Sequence, residues 1–228
     1  MKHIVVLTGA GISAESGIKT FRDADGLWEG HDVMEVASPE GYTKNPELVL
    51  DFYNQRRRQL FAVEPNEAHI DLTKLEQKHN VTIVTQNVDD LHERAGSSNV
   101  VHLHGELLKA RSTFDEQDIH EWKTDLVLGD LCKKGYQMRP HIVWFGEAVP
   151  MIEKAVDICQ TADILIIIGT SMQVYPAASL MHYVPENTMT FFIDPNPMMN
   201  SKDNLMVISE KATIGVKEVI EKINNELF

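Results

Sequence analysis

The stretch His3–Gly17, HIVVLTGAGISAESG, joins a β-branched apolar run to a glycine-rich turn. Apolar residues without alternation are typical of a strand that is covered on both faces, as in a parallel sheet. The turn from Gly9 to Ala14 matches G-x-G-x-x-[G/A], in which glycines let the backbone approach a pyrophosphate closely. A plain strand-to-helix turn explains a lone match about as well, so its position after a strand carries the argument.

Further apolar runs and the segments between them predict the fold class. Four runs resemble the first one: Val81–Val84, Ile164–Ile168, Met189–Ile193 and Leu205–Ile208. Segments of helical period separate or follow them: Pro46–Leu60, Ala68–Lys78, Ile152–Thr161 and Ile214–Leu227. Strands that alternate with helices indicate an α/β fold with a doubly wound parallel sheet, as in Rossmann-like nucleotide-binding domains.

Two longer segments interrupt this alternation. Residues 21–65 and 102–140 exceed the length of ordinary α/β connections, so we expect insertions that build a smaller second domain. The Rossmann-like NAD domain would then consist of residues 1–20, 66–101 and 141–228.

Composition and charge exclude several classes of protein. The net charge of -13 over 228 residues argues against a nucleic-acid partner, which needs a concentrated basic surface. No apolar run approaches the roughly 18 residues that cross a bilayer. A strand begins within three residues of the first methionine, so we expect no signal peptide. The two cysteines, Cys132 and Cys159, fit a reducing compartment and exclude a disulfide framework. We expect a cytoplasmic monomer without a membrane partner.

Polar residues follow the predicted strands at their carboxyl ends, where open α/β sheets bind ligands. They form three groups: Thr85–Asp90, Gly169–Ser171 and Asp194–Asn196. For the first group, capping of a helix by Asn87 or Asp89 is the simpler explanation.

A pair of histidines, His102 and His104, stands two residues apart beside Gly105. On an extended segment both side chains would point to the same face. A structural role, a pair of metal ligands and a general base all remain open from the spacing.

Taken in order, five segments resemble the successive signatures of sirtuins: GAGISAESGIKTFRDADGLW, TQNVDDLHERAG, HLHGEL, RPHIVWFGEAVP and IIIGTSMQVYPAA. They cover most of residues 3–178, and the last 50 residues match more loosely. The resemblance implies an enzyme that consumes NAD to remove acyl groups from protein lysines. Its products would be nicotinamide, the free lysine and O-acyl-ADP-ribose.

The resemblance also implies roles for individual residues. His104 would be the catalytic general base, with His102 as its structural partner. The residues implied to bind NAD are Gly9, Ala10, Gly11, Ile12, Ser13, Ser16, Gly17, Thr20, Phe21, Arg22, Trp28, Gln86, Asn87, Val88, Asp89, Gly169, Thr170, Ser171, Asp194, Asn196 and Ala212. An extended peptide carrying the acylated lysine would pair with a strand containing Val143, Phe145, Gly146 and Glu147, and would meet Val174 and Tyr175 on its other edge.

The chain departs from the sirtuin pattern at two places. Most members hold a structural zinc with four cysteines between the HG and FGE motifs, but this interval contains only Cys132, and Ser112 replaces the first cysteine. We therefore predict no zinc, and a small apolar core instead, formed by Phe114, Trp122, Leu126, Val127 and Leu128. Asp194 aligns with a usual asparagine and can still accept from ribose hydroxyls.

Tyr53 and Arg56 lie three residues apart, hence on one face of the predicted helix. An arginine within an RRR run is ordinarily part of a solvated surface. The segment FYNQRRRQL, however, resembles the sirtuin subclass whose Tyr-x-x-Arg pair binds the carboxylate of succinyl- or malonyl-lysine. A guanidinium beside a phenol is suited to that carboxylate. Our hypothesis is acidic deacylation alongside deacetylation.

Three other functions share parts of the pattern. A dehydrogenase would need an acidic residue after a second strand, about 20 residues beyond the glycines. Residues 20–28 are of loop type instead, and Asp32 follows no predicted strand. A non-catalytic reader of NAD or ADP-ribose would keep the fold without turnover. Mono-ADP-ribosyl transfer is a third possibility within the family.

Overall fold

The computed structural model describes residues 1–19, 27–28 and 30–225. In chain order its strands are β1 (His3–Thr8), β2 (Leu27–Trp28), β3 (His31–Asp32), β4 (Asn80–Thr85), β5 (Val100–His102), β6 (Gly105–Ser112), β7 (Ile119–Glu121), β8 (Met138–Ile142), β9 (Ile164–Ile168), β10 (Met189–Ile193) and β11 (Leu205–Ile208). The α-helices are α1 (Val33–Val36), α2 (Pro39–Lys44), α3 (Pro46–Phe61), α4 (Glu67–Leu75), α5 (Leu91–Ala95), α6 (Ile152–Cys159) and α7 (Ala212–Asn225).

Six parallel strands form the central sheet, in the order β11-β10-β9-β1-β4-β5. From β1 the chain proceeds to β4 and β5 on one side, and then returns to build β9, β10 and β11 on the other. The direction of winding therefore reverses between β1 and β9, which pair in register from Ile4 with Ile164 to Thr8 with Ile168. This arrangement confirms the doubly wound α/β fold, and the reversal is where such sheets bind ligands.

Successive side chains along each buried strand point to opposite faces of the sheet, and both faces are apolar. Val6 of β1 belongs to the core beneath α4 and α7, together with Leu72 and Val216. Its neighbour Leu7 belongs to the opposite core, which includes Ala155 of α6. Within the ranges described, no helix combines the length and apolar character that crossing a bilayer requires.

Beside this sheet, β6 pairs in antiparallel fashion with β7 and β8, and α3 packs against β6 and β8. The predicted apolar core of this region is only partly correct. Leu126 is fully buried against Leu50 and Met138, and Trp122 packs at the edge. Phe114, Val127 and Leu128 are instead exposed. The side chain of Asn54 explains the inward turn at Leu126, because it bonds both the backbone nitrogen and the carbonyl of that residue, at 2.8 and 3.0 Å.

Candidate active site

The loops that follow β1 and β9 touch through their glycines. The Gly11 nitrogen donates to the Gly169 carbonyl at 2.8 Å, and the Gly9 nitrogen donates to Ile168 at 3.0 Å. A Cβ atom on Gly11 would lie 2.5 Å from the Gly169 Cα, closer than side-chain carbons approach backbone. Only glycine permits this contact, and the paired loops, called the glycine cradle below, lie at the sheet edge where dinucleotides bind in such folds.

Next to the cradle lies a buried polar cluster of Ser13, Asn87 and Asp89. Ser13 donates its hydroxyl to Asp89 Oδ2 at 3.0 Å, and Asn87 donates its amide to Ser13 Oγ at 3.2 Å. The other Asp89 oxygen accepts from the Leu91 nitrogen at the start of α5, so Asp89 also has the capping contact. Burial raises the pKa of Asp89 to about 6, although the bonds from Leu91 and Ser13 oppose this change. The cluster thus presents a carboxyl group that titrates near neutrality.

The two histidines share one face, as predicted from their spacing. Nδ1 of His102 donates to the Asn87 carbonyl at 3.1 Å, and Nδ1 of His104 donates to the Gln86 carbonyl at 3.0 Å. Nε2 of His102 lies 2.7 Å from a Glu93 carboxylate oxygen. Burial alone would lower the pKa of His102, but Glu93 raises it above its usual value. His102 therefore acts as a structural anchor for the segment.

His104 differs from His102 at its second nitrogen. Burial lowers the pKa of His104 below its ordinary value, and the bond to Gln86 only partly offsets this effect. The ring is therefore neutral at pH 7. Because Nδ1 carries the hydrogen that bonds to Gln86, Nε2 carries the lone pair and can accept a proton. This is the arrangement that a general base requires.

Tyr53 and Arg56 reach the same site from α3. They line a cavity of about 60 Å³ together with Val88, Asp89 and Leu107. The Arg56 guanidinium lies 5.0 Å from the centre of the Phe52 ring. The helix spacing therefore correctly placed the tyrosine and the arginine on one surface, and that surface adjoins the buried polar cluster.

The other residues predicted to contact NAD lie in the loops after the strands, in β2 and at the start of α7. Gln86 donates to Thr170 Oγ1 at 3.1 Å, Asn196 donates its backbone nitrogen to Asp194 Oδ1 at 2.8 Å, and Ala212 is buried at the start of α7. Gly17 has a positive φ of 98°, and Trp28 lines the cavity of Tyr53. Ala10, Ile12, Ser16 and Ser171 belong to the same loops. Thr20, Phe21 and Arg22 lie outside the described residues.

The segment expected to be a strand for peptide pairing, Val143–Glu147, is not one. Strand β8 ends at Ile142, and a turn follows with Gly146 at a φ of 91°. Glu147 causes the turn, because its carboxylate accepts from the Trp144 backbone nitrogen at 2.8 Å. The same carboxylate binds Arg139 at 2.6 Å and Arg111 at 3.2 Å, so it faces inward.

Phe145 of this turn has an exposed side chain, and so do Val174 and Tyr175 in the segment after β9. These three side chains are therefore accessible, as contacts with a peptide would require.

Sequence reasoning missed two residues that support the site. Asn66 donates its amide to the Ile12 carbonyl at 2.8 Å and to Ser16 Oγ at 3.0 Å, which ties the first loop to α4. Its position before a helical segment indicates a cap, but not this second contact. Trp144 donates its indole hydrogen to Tyr53 Oη at 3.0 Å. No local pattern indicates that contact, because the two residues are 91 positions apart.

At the position of the missing zinc cysteines, Ser112 donates its hydroxyl to Cys132 Sγ at 3.3 Å, in a buried contact. Over residues 1–19, 27–28 and 30–225, no three His, Cys, Asp or Glu side chains are grouped as metal ligands. The absence of zinc stays a prediction.

The reversal of winding, the glycine cradle and the adjacent neutral histidine together define an α/β protein of the dinucleotide-binding class. The profile of the Sir2 family matches residues 9–176. An NAD-dependent protein deacylase of Helicobacter pylori is 58% identical over 224 residues, 98% of each chain. The chain belongs to the Sir2 family.

Solved structures agree with this assignment. A crystal structure of a Sir2 homolog–NAD complex has a TM-score of 0.87 and 39% identity, over 98% of this chain and 90% of that one. A Sir2 protein with a deacetylated p53 peptide and 3'-O-acetyl ADP-ribose has a TM-score of 0.82 and 28% identity, over 96% and 92% of the two chains.

Proposed function

We propose that this protein is an NAD-dependent protein-lysine deacylase that removes succinyl and malonyl groups as well as acetyl groups. The deacylase activity follows from its membership in the Sir2 family and from relatives such as the H. pylori enzyme. The extension to acidic acyl groups rests on one observation, namely that Tyr53 and Arg56 line a single cavity beside Asp89.

The two glycine loops fit NAD, because they lie at the carboxyl ends of β1 and β9, and Gly9, Gly11 and Gly169 let them approach more closely than any Cβ would allow. NAD bound there would supply a ribose that loses nicotinamide and takes up the acyl group as an ester, with one water consumed and the lysine amine released. Ser13, Asn87 and Asp89 would hold the nicotinamide end with their buried amide, hydroxyl and carboxyl groups. Gly169, Thr170, Asp194, Asn196 and Ala212 would hold the adenosine end.

His104 would accept a proton at Nε2 during the reaction. Its neutral form is favoured by burial, and its Nδ1 hydrogen fixes the ring on the Gln86 carbonyl. A base of this kind contributes roughly 10²–10⁴-fold to a rate. Removal of the ring therefore provides the test of the reaction class.

In that test, the protein and its His104→Ala variant are incubated with NAD and an acetyl-lysine peptide. We expect peptide-dependent release of nicotinamide from the parent, and a loss of at least about 100-fold in the variant. Nicotinamide release that ignores the peptide would instead support hydrolysis or ADP-ribosyl transfer. Undiminished deacylation by the variant would show that His104 is not the base.

Arg56 would bind the acyl carboxylate by charge-assisted hydrogen bonds, with Tyr53 beside it. Such a bond contributes about 1.5–3 kcal/mol, which corresponds to roughly 10- to 150-fold in binding. A neutral acetyl group would make no such bond. The two substrates should therefore respond differently when the guanidinium is removed.

Arg56→Met tests this difference on succinyl- and acetyl-lysine peptides of one sequence. We expect kcat/KM for the succinyl peptide to fall by about 10-fold or more relative to the acetyl peptide, by the magnitude of a charge-assisted bond. Arg58→Met is the matched control, because Arg58 lies two residues away, is exposed and binds Asp125 at 2.6 Å. An equal effect of Arg56→Met on both peptides would refute the acidic-acyl hypothesis.

The protein substrate would bind as an extended segment beside Phe145 and Val174, whose side chains are exposed. The net charge of -13 favours lysine-rich targets. We propose a cytoplasmic monomer without nucleic-acid or membrane partners, in which residues 21–65 and 102–140 form the smaller domain. Size-exclusion chromatography with light scattering tests the monomer, and a mass of twice 25.8 kDa would contradict it.

A further inference from the structure

The Tyr53 hydroxyl has a hydrogen-bond partner that can only act as the donor. Trp144 Nε1 lies 3.0 Å from Tyr53 Oη, and the two residues are 2% and 0% exposed. An indole nitrogen can donate a hydrogen bond but cannot accept one. The tyrosine oxygen is therefore the acceptor, and its own hydrogen must point to a different atom.

Within the described part of the chain, no acceptor lies within hydrogen-bonding distance of that hydrogen. Burial raises the pKa of Tyr53 far above its ordinary value, so the hydroxyl keeps its hydrogen under all working conditions. A buried donor without an acceptor is unfavourable. Because Tyr53 lines the cavity shared with Arg56, an occupant of that cavity is the natural acceptor.

We propose that Trp144 is a positioning residue that sets the acyl specificity of the cavity. Its indole N–H occupies the acceptor side of the Tyr53 oxygen and leaves Tyr53 as a hydrogen-bond donor toward the carboxylate of an acidic acyl group. A carboxylate can only accept hydrogen bonds. It is therefore complementary to a site in which the Tyr53 hydroxyl donates beside the Arg56 guanidinium. This inference rests on the acidic-acyl activity proposed above.

Trp144 is itself held in place on two sides. The Arg139 guanidinium lies 3.3 Å from the centre of the Trp144 ring, within the range of a cation–π contact. Glu147 accepts from the Trp144 backbone nitrogen and binds Arg139 as well. The tyrosine and tryptophan rings are stacked, with centroids 6.4 Å apart. The contacts with Arg139 and Glu147, neither of which lines the cavity, therefore fix the position of Trp144 and the direction of its indole N–H.

The experiment is a double-mutant cycle of Trp144→Phe and Tyr53→Phe. Trp144→Phe removes the indole donor and keeps an aromatic ring, whereas Tyr53→Phe removes only the hydroxyl. Each protein is assayed on succinyl- and butyryl-lysine peptides, whose acyl groups have the same number of carbons but differ in the carboxylate. The ratio of the two kcat/KM values is independent of the fraction of folded enzyme, so partial unfolding does not affect it.

We expect Tyr53→Phe to lower the succinyl-to-butyryl ratio about 10-fold, and Trp144→Phe to lower it about 3- to 10-fold, mainly through KM for the succinyl peptide. The double variant should match Tyr53→Phe alone, because the tryptophan acts through the hydroxyl. The inference would be overturned if Trp144→Phe kept the succinyl-to-butyryl ratio within about 2-fold of the parent value. It would also be overturned if the effects of the two single substitutions on this ratio multiplied in the double variant.

Failure of the underlying activity gives a different result. The parent could show no preference for the succinyl peptide over the butyryl peptide, or a preference that Arg56→Met does not remove. In either case the acidic-acyl function is wrong, and so is this inference. If Arg56→Met abolishes the preference but Trp144→Phe leaves it intact, only the role of Trp144 is wrong.

Discussion

Replacing Asp89 with asparagine removes a carboxyl group that is buried beside Ser13 and Asn87. Burial raises its pKa from 3.8 to about 6, a change of about two units. At about 1.4 kcal/mol per unit, the ionised carboxylate costs the folded state about 3 kcal/mol at neutral pH. The folded state holds the proton to higher pH than the unfolded chain does. Stability is therefore lost as pH rises from about 4 to about 6.

The amide of the Asp89→Asn variant would keep one oxygen for the Leu91 nitrogen but lose the acceptor for the Ser13 hydroxyl, a loss of about 1 kcal/mol. We therefore expect Asp89→Asn to stabilise the protein without NAD by about 2 kcal/mol at pH 7.5. For a chain of this length, that corresponds to an increase of about 4–8 °C in Tm. At pH 5 the gain should be smaller by about 1 kcal/mol, because part of the cost of ionisation has already disappeared.

The assay is urea unfolding followed by circular dichroism, without NAD, at pH 7.5 and pH 5. Asp157→Asn is the control, because Asp157 is exposed on α6 and its replacement should change stability by less than about 0.5 kcal/mol. We also expect kcat/KM for NAD to fall at least about 10-fold in Asp89→Asn, since a buried charge that costs stability is typical of a functional site. The reasoning would be refuted if Asp89→Asn were less stable than the parent at pH 7.5. It would also be refuted if the difference in free energy of unfolding between variant and parent were the same at both pH values.

Three further outcomes are expected. Glu147→Gln leaves two buried arginines without their anion and should lower the free energy of unfolding by about 3 kcal/mol, measured by urea denaturation. Glu153→Gln should change it little, because the side chain of Glu153 is exposed on α6. Gly11→Ala places a Cβ 2.5 Å from the Gly169 Cα and should lower the free energy of unfolding by about 1–3 kcal/mol and weaken NAD binding, by calorimetry. The acid limb of the rate–pH profile should lie below pH 6.5, because burial lowers the pKa of His104 and the neutral base is lost only below that pKa; a half-maximal rate above pH 7 would contradict this assignment.

The central sheet could be predicted from the sequence because its strands are buried on both faces. Each of the five apolar runs is a strand, with ends that differ by at most one residue. The short strand β5 was missed, since three residues carry no period. Strand β7 was missed for the same reason, and β6 and β8 were missed because their pairing is irregular, with a register shift between Gly105 and Ala110.

For the site, the sequence indicated which loops meet but not which side chains support them. The carboxyl ends of neighbouring parallel strands must lie together, so the positions of Gly11 and Gly169 follow from the fold. The buried bond between Trp144 and Tyr53 has no counterpart in sequence spacing. The turn at Glu147 was also unpredictable, because it depends on arginines from two strands that the sequence did not reveal.

The first loop of the site is tied to the last helix of the fold. Thr213 donates both its backbone N–H and its hydroxyl to the carboxylate of Glu15, across 198 positions of sequence. At a synthesis rate of about 5–20 residues per second, roughly 10–40 s separate the appearance of these two partners on the ribosome. A nascent chain that already carries Gly11 and His104 therefore still lacks the Thr213 donors that bind Glu15. We expect the first loop to reach its final position only after α7 has been synthesised.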